Sequence, residues 1–221
     1  VDTDGAIETQ AAGGRVRMTG KQRREQLLDI GRALFAERGF DGTSIEEIAT
    51  RAKVSKPVVY EHFGGKEGLY AVVVDREMEG LLNSITTALN SDSHPRVLLE
   101  RAALALLDYI ETSTDGFRIL VRDSPVAQST GGFASLISDA ASQVEYLLAA
   151  EFTSRGFDAR YAPMYSQMLV GMVALTGQWW LDVRHPDKTA VAAHLVNLCW
   201  NGLTGLEQAP ALNGSADATL P

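Results

Sequence analysis

Residues 43–70 read TSIEEIATRAKVSKPVVYEHFGGKEGLY, and the punctuation inside this stretch decides the fold. Ser44 followed three positions later by Glu47 is the signature of a capping box. Ile45, Ile48, Ala49 and Ala52 then form the narrow buried face of a helix of about two turns. A brief turn at Lys53 and Val54 leads to Ser55, a good N-cap. Pro57 falls in the first turn of a new helix, where its missing N–H costs nothing. That helix starts at Lys56 and closes near His62 or Phe63, because Gly64 and Gly65 break it and expose the start of another helix at Lys66. Two short helices joined by a tight turn match a helix-turn-helix, whose second helix enters the major groove of DNA. Val59 and Phe63, four apart, would pack inward against Ile45 and Ile48. Lys56, Pro57, Val58, Tyr60, Glu61 and His62 are left for solvent or DNA. A helix of under two turns is not stable alone, so its neighbours must hold it.

Upstream, a helix is expected from Lys21 to Arg38, with Leu27, Ile30 and Leu34 on one stripe and Leu28 and Phe35 beside it. Gly39 supplies a left-handed terminator, and Phe40 sits where a Schellman motif places its apolar contact. Downstream, the helix opening at Lys66 should reach Leu89 and join the two parts of the chain. After SDSHP the three-and-four apolar spacing resumes over 97–112, 116–122, 133–153, 160–183 and 188–207. The reading is therefore an all-α chain. It comprises an N-terminal tail at 1–14, a helix-turn-helix domain at 15–66, a larger helical domain at 67–207 and a C-terminal tail at 208–221. Both tails are expected to be disordered, being rich in small and polar residues.

Composition sets limits on function. With 221 residues and 45% apolar content, the chain can bury a real core. Its single cysteine, Cys199, excludes an internal disulfide framework and fits a reducing, cytoplasmic setting. The opening VDTDGAIETQAAGG has no basic segment leading into an apolar run, so it does not read as a secretory signal. MLVGMVALTGQWWL is shorter than the roughly 20 residues a membrane span needs. The net charge of −8 hides a division. Residues 15–66 hold 11 Lys and Arg against 7 Asp and Glu, whereas residues 71–221 hold 9 against 17. Screening confines each field to about 10 Å at ordinary salt, so a locally basic module can attract phosphates in spite of an acidic body.

The run RREQLLDIGRALFAERGFDGTSIEEIATRAKVSKPVVYEHFGGKEGLYAVV resembles the DNA-binding domain of the TetR family of bacterial transcriptional regulators. The marks are ERGFDGTS at a helix end, the IEEIATRAKVSKPVVYEHF core and the GKEGLY opening. The resemblance spans about fifty residues and requires several spacings to hold together. It implies that Ser44, Tyr60, His62 and Lys66, the last with the N-terminus of its helix, contact backbone phosphates. Lys56, Pro57 and Val58 then lie where base edges are read. Arg15, Arg17, Lys21, Arg23 and Arg24 would serve as a basic arm, although a solvated helix end has the same composition.

On the same resemblance the larger domain dimerises and senses a small molecule. The last two helices carry Gly171, Ala174 and Gly177, then Ala193, Gly202 and Gly205, which allow close helix approach in a homodimer. A buried helix pair inside one subunit fits that pattern too. Candidates to line an apolar effector cavity are Tyr109, Phe117, Phe133 and Tyr146. Met168, Met172, Trp179 and Trp180 complete the set, though such residues also build ordinary cores. DGFRILVRDS and LVGMVALTGQWWLD are similar to segments of the acyl-coenzyme A-responsive regulators of fatty-acid synthesis within the family. That similarity implies a long acyl chain as effector, with Arg118 and Arg122 available to its anionic group. Catalysis finds no support. His62, His94, His185 and His194 do not share a metal-ligand spacing, and no phosphate loop or nucleophile elbow appears, so no cofactor, metal or catalytic residue is expected. Glu46 and Glu47, being adjacent, point apart and read as solvated helix charges. The expected function is a DNA-binding regulator of the repressor type that leaves a two-fold operator when an apolar effector binds. The competing classes are a DNA-coating protein without sequence preference and a helical lipid-binding protein.

Overall fold

The computed structural model describes residues 18–90, 93–122, 133–208 and 210. Nine α-helices occur among them: α1 Gly20–Arg38, α2 Ile45–Ala52, α3 Lys56–Phe63, α4 Lys66–Leu89, α5 Pro95–Thr112, α6 Thr114–Val121, α7 Phe133–Ser154, α8 Ala162–Val183 and α9 Lys188–Thr204. A 3-10 turn, Ala159–Tyr161, leads into α8, and there is no strand among the described residues. Both expected tails, together with the arm residues Arg15 and Arg17, fall essentially outside this description.

The helices form for the reasons legible in their ends, with three differences, one being that Ser55 occupies the N-cap position of α3 without a side-chain hydrogen bond. The reciprocal capping box lies one helix earlier than expected. Thr19 Oγ1 accepts from the Gln22 N–H at 3.2 Å, and Gln22 Oε1 accepts from the Thr19 N–H at 2.9 Å, so α1 starts at Gly20. At α2 only half of the box is made, with the Glu47 N–H donating to Ser44 Oγ at 3.2 Å. Gly39 does have positive φ (76°), but its ψ of 177° is extended, so α1 does not end in the expected Schellman turn. Its N–H returns to the Phe35 carbonyl, while Phe40 packs beside Phe35 and edge-on to Tyr70. Thr43, buried between α1 and α2, donates to the Gly39 carbonyl at 2.8 Å and so fixes the angle at which the chain enters α2.

One apolar core runs from Leu27 and Leu34 of α1 through Ile48 and Val59 to Val196 of α9. It crosses from the N-terminal helices to the larger set through α4 and α6, where Val73, Leu81, Phe117 and Leu120 are buried together. Polar straps reinforce the same seam. Arg76 of α4 grips Glu25 of α1 with two bonds of 2.8 and 2.9 Å, and Glu77 pairs with Arg32 at 2.7 Å. Arg122, after α6, reaches the Phe35 carbonyl at 3.4 Å. Farther out, α7 lies along α8, and α9 packs on α5.

Candidate nucleic-acid interface

Helix α3 is held from beneath and left open above. Val59 is fully buried and Phe63 is partly buried against the α1–α2 core, while Lys56, Pro57, Tyr60 and Glu61 are exposed and Val58 is half-buried. Tyr60 keeps 53% of its surface in water, a large fraction for an aromatic side chain. The helix cannot rest on its own hydrogen bonds, and its ends are tied by neighbours. Arg24 of α1 donates to the His62 carbonyl at 2.6 Å and lies 4.4 Å above the Phe63 ring. Gly64 closes the helix in the left-handed region, its N–H bonded to the Tyr60 carbonyl at 2.8 Å. Gly68 lets the first turn of α4 come up against α3, since a β-carbon there would fall 1.9 Å from the Phe63 carbonyl oxygen.

This packing gathers side chains that are far apart in the helix order. A polar depression of about 420 Å³ is lined by Ser44 and Glu46 from the start of α2, Tyr60 from α3, and Gly64, Gly65 and Lys66 at the start of α4. Ser44, Tyr60 and Lys66, each expected to touch a phosphate, thus share one hollow. Lys66 is seated by the Phe40 carbonyl at 3.0 Å and by the Phe40 ring, 4.1 Å away. His62 is half-buried at the end of α3. Lys56 pairs with Glu46 across the helix-turn-helix, an interaction that spacing alone does not reveal. Glu47 is instead drawn to Arg38, 2.9 Å away, so the two adjacent acids do point apart, but each has a partner. Arg23 and Arg24 of the expected arm turn toward the protein, to Gln26 and to the His62 carbonyl respectively. Lys21 stays exposed.

The expected effector residues separate into two groups. Phe117 and Trp180 are buried, and the Trp180 indole donates to the Pro186 carbonyl at 2.8 Å. Tyr109 is buried as well, its hydroxyl donating to Glu77 Oε2 at 2.7 Å. Tyr146, Met168 and Trp179 lie on the outside, 79%, 54% and 49% exposed. Met172 and Trp179, both on α8, line one side of an open cleft of about 290 Å³ whose other side includes Val191, His194, Leu195 and Leu198 of α9. Phe133 begins α7, and its side chain lies outside the described residues. Among the described residues there is no group of three or more potential metal-ligating side chains and no helix long and apolar enough to cross a membrane.

Comparison with known proteins agrees with this geometry. The family described as "Bacterial regulatory proteins, tetR family" matches residues 27–73, and "Tetracyclin repressor-like, C-terminal domain" matches residues 95–202. The HTH-type transcriptional activator FasR of Mycolicibacterium smegmatis is 30% identical over 202 residues, covering 89% of this chain and 91% of FasR. A transcriptional repressor of Mycobacterium tuberculosis is 40% identical over 90 residues, 37% of this chain and 45% of its own. Among solved structures, a TetR-like transcriptional regulator from Rhodococcus sp. RHA1 superposes with a TM-score of 0.70 at 25% identity, covering 86% of this chain and all of that one. An N-terminal helix-turn-helix with an exposed second helix, joined to a wholly helical second part and matched along most of its length, places the chain in the TetR family: it is a DNA-binding transcriptional regulator and not an enzyme.

Proposed function

We propose that the chain binds a two-fold operator as a homodimer and that a small apolar effector in the larger domain changes its hold on DNA. The observation that carries this reading is the division of α3: Val59 anchors it in the core while Lys56, Pro57 and Tyr60 face outward above a hollow containing Ser44 and Lys66. In that arrangement Tyr60, His62, Ser44 and Lys66 grip phosphates, and Lys56, Pro57 and Val58 meet base edges. The functional division then falls at the start of α4, between a reader at residues 15–66 and a sensor at residues 67–207.

Support for the dimer comes from the outer face of α8 and α9, where Leu175 and Leu198 are 65% and 62% exposed beside Met164, Met168 and Trp179. A continuous apolar strip of this kind on a monomer is a surface awaiting a partner, and a two-fold axis through it would present two copies of α3. Gly171 and Gly202, which meet nothing within 4 Å in the single chain, lie on the same two helices and allow a second copy to approach closely. An effector that prefers one spacing of the two α3 helices shifts the population toward it through α4. A typical coupling of about 1 to 3 kcal/mol corresponds to a change of about 5- to 150-fold in DNA affinity. Whether the outcome is repression or activation follows from where the operator lies relative to the promoter. A long acyl chain is the effector class that suits the apolar side chains of the larger domain, with Arg118 as its anionic-group partner. Arg118 is held only at 3.8 Å by Asp115 and keeps a third of its side chain in solvent.

The test is fluorescence anisotropy of the full chain on duplex from its own upstream region and on random duplex at one fixed salt concentration. The reading expects preference for the former, weaker binding to both duplexes in Tyr60→Ala with an unchanged melting temperature, and altered binding on adding a long-chain acyl thioester. Equal binding to both duplexes would overturn it.

A further inference from the structure

Glu46 is an acid in the middle of a surface that docks on a polyanion. It opens α2 in the first turn, lines the same hollow as Ser44, Tyr60 and Lys66, and keeps 61% of its side chain exposed. A carboxylate so placed repels every phosphate it approaches, and on a surface built only for grip it would be a defect. Its neighbour Glu47 is held by arginines on the far side, whereas Glu46 is turned onto the Lys56 ammonium at the first position of α3. The Lys56 hydrogen bond also keeps the Glu46 carboxyl below its ordinary range, so it remains an acceptor. The two residues therefore present a donor and an acceptor side by side at the point where α3 begins.

Building on the operator-binding reading, we infer that Glu46 is a specificity-determining residue that, with Lys56, selects one G·C base pair in each half-site. In the major groove guanine offers the N7 and O6 acceptors, and its partner cytosine offers the N4 amino donor beside them. An ammonium over guanine and a carboxylate over cytosine match that edge in one orientation. A C·G or an A·T pair presents donor and acceptor in the reverse order. A T·A pair has the right order at O4 and N6, but it sets a methyl where the ammonium needs N7, and the adenine N7 faces the carboxylate. The carboxylate thus weakens general attraction to DNA and contributes discrimination instead. It also holds the flexible lysine stem over one base instead of letting it settle on the nearest phosphate.

The experiment is selection of bound duplexes from a random pool by the full chain, comparing the unaltered protein with Glu46→Ala, Glu46→Gln and Lys56→Ala. Melting temperature serves as the check on folding. The unaltered chain should enrich a two-fold motif with one strongly preferred G·C per half-site. Glu46→Ala and Lys56→Ala should each relax that same position, lowering its discrimination by about ten-fold, and leave the others unchanged. Glu46→Gln should move the preference toward T·A, because a carboxamide pairs with the N6 and N7 edge of adenine. Glu46→Gln is nearly isosteric and carries the test alone if the alanine variant fails to fold. If Glu46 variants keep every base preference and bind all duplexes more tightly, the inference falls while the operator reading stands. If the unaltered chain enriches no motif, both fall.

Discussion

At the scale of single residues, the candidate interface is assembled from side chains that also serve the fold. Lys66 has three N–H donors; the Phe40 carbonyl takes one, and the remaining two are available to the hollow beside Tyr60 and Ser44. Lys53 shows the opposite situation, a residue whose backbone is set by the fold at a local disadvantage. It ends α2 at φ 55° and ψ 44°, with its N–H bonded to the Ala49 and Thr50 carbonyls. A side chain in that left-handed region costs about 1–2 kcal/mol, and glycine avoids this while losing somewhat more freedom on folding. Lys53→Gly should therefore stabilise the protein by about 0.5–1 kcal/mol in denaturant unfolding, the reverse of the effect of glycine inside a helix. Nothing in the sequence around Lys53 announced its conformation, since the turn was legible from Ser55 and Pro57 but the dihedral angles were not.

At the scale of elements, the helices were readable because their caps and apolar spacing are local properties. Helices α3 and α4 begin and end where Lys56, Gly64 and Lys66 indicated. The expected effector cavity was not readable to the same degree, because an apolar residue at helical spacing looks alike in a core, a cavity or an interface. Phe117 is fully buried whereas Trp179 is half in solvent, and only tertiary packing distinguishes them. The seam between α1, α4, α5 and α6 was hidden for the same reason. There Glu77 takes Arg32 at 2.7 Å and the Tyr109 hydroxyl at 2.7 Å, from positions 45 and 32 residues distant. Burial, and then the hydrogen bond to Glu77, pushes the Tyr109 phenol well above its ordinary value of 10.0. The folded state thus holds a proton that the unfolded chain releases above about pH 10, so this contribution is complete below that pH and is lost as pH rises beyond it. Tyr109→Phe should cost about 1 kcal/mol at neutral pH and flatten the alkaline loss of stability. Urea titrations at about pH 8 and pH 10.5 would check both parts.

At the scale of the whole molecule, the basic reader and the acidic body give the chain a direction of approach to DNA, despite a net charge of −8. The apolar strip on α8 and α9 is the surface proposed to hold a partner copy, the second requirement of operator binding. Leu175→Glu would set like charges across the proposed two-fold axis. It should convert the dimer to monomer in light scattering and weaken operator binding by at least about ten-fold, with helical content retained. The central claim is that two α3 helices lie in successive major grooves on one face of a duplex. Hydroxyl-radical and methylation footprints of the full chain on its upstream DNA test it most directly. The account predicts two symmetric protected patches about one helical turn apart, roughly 34–36 Å, both weakened in Tyr60→Ala. Protection of a single patch, or protection spread evenly over any duplex supplied, would contradict it.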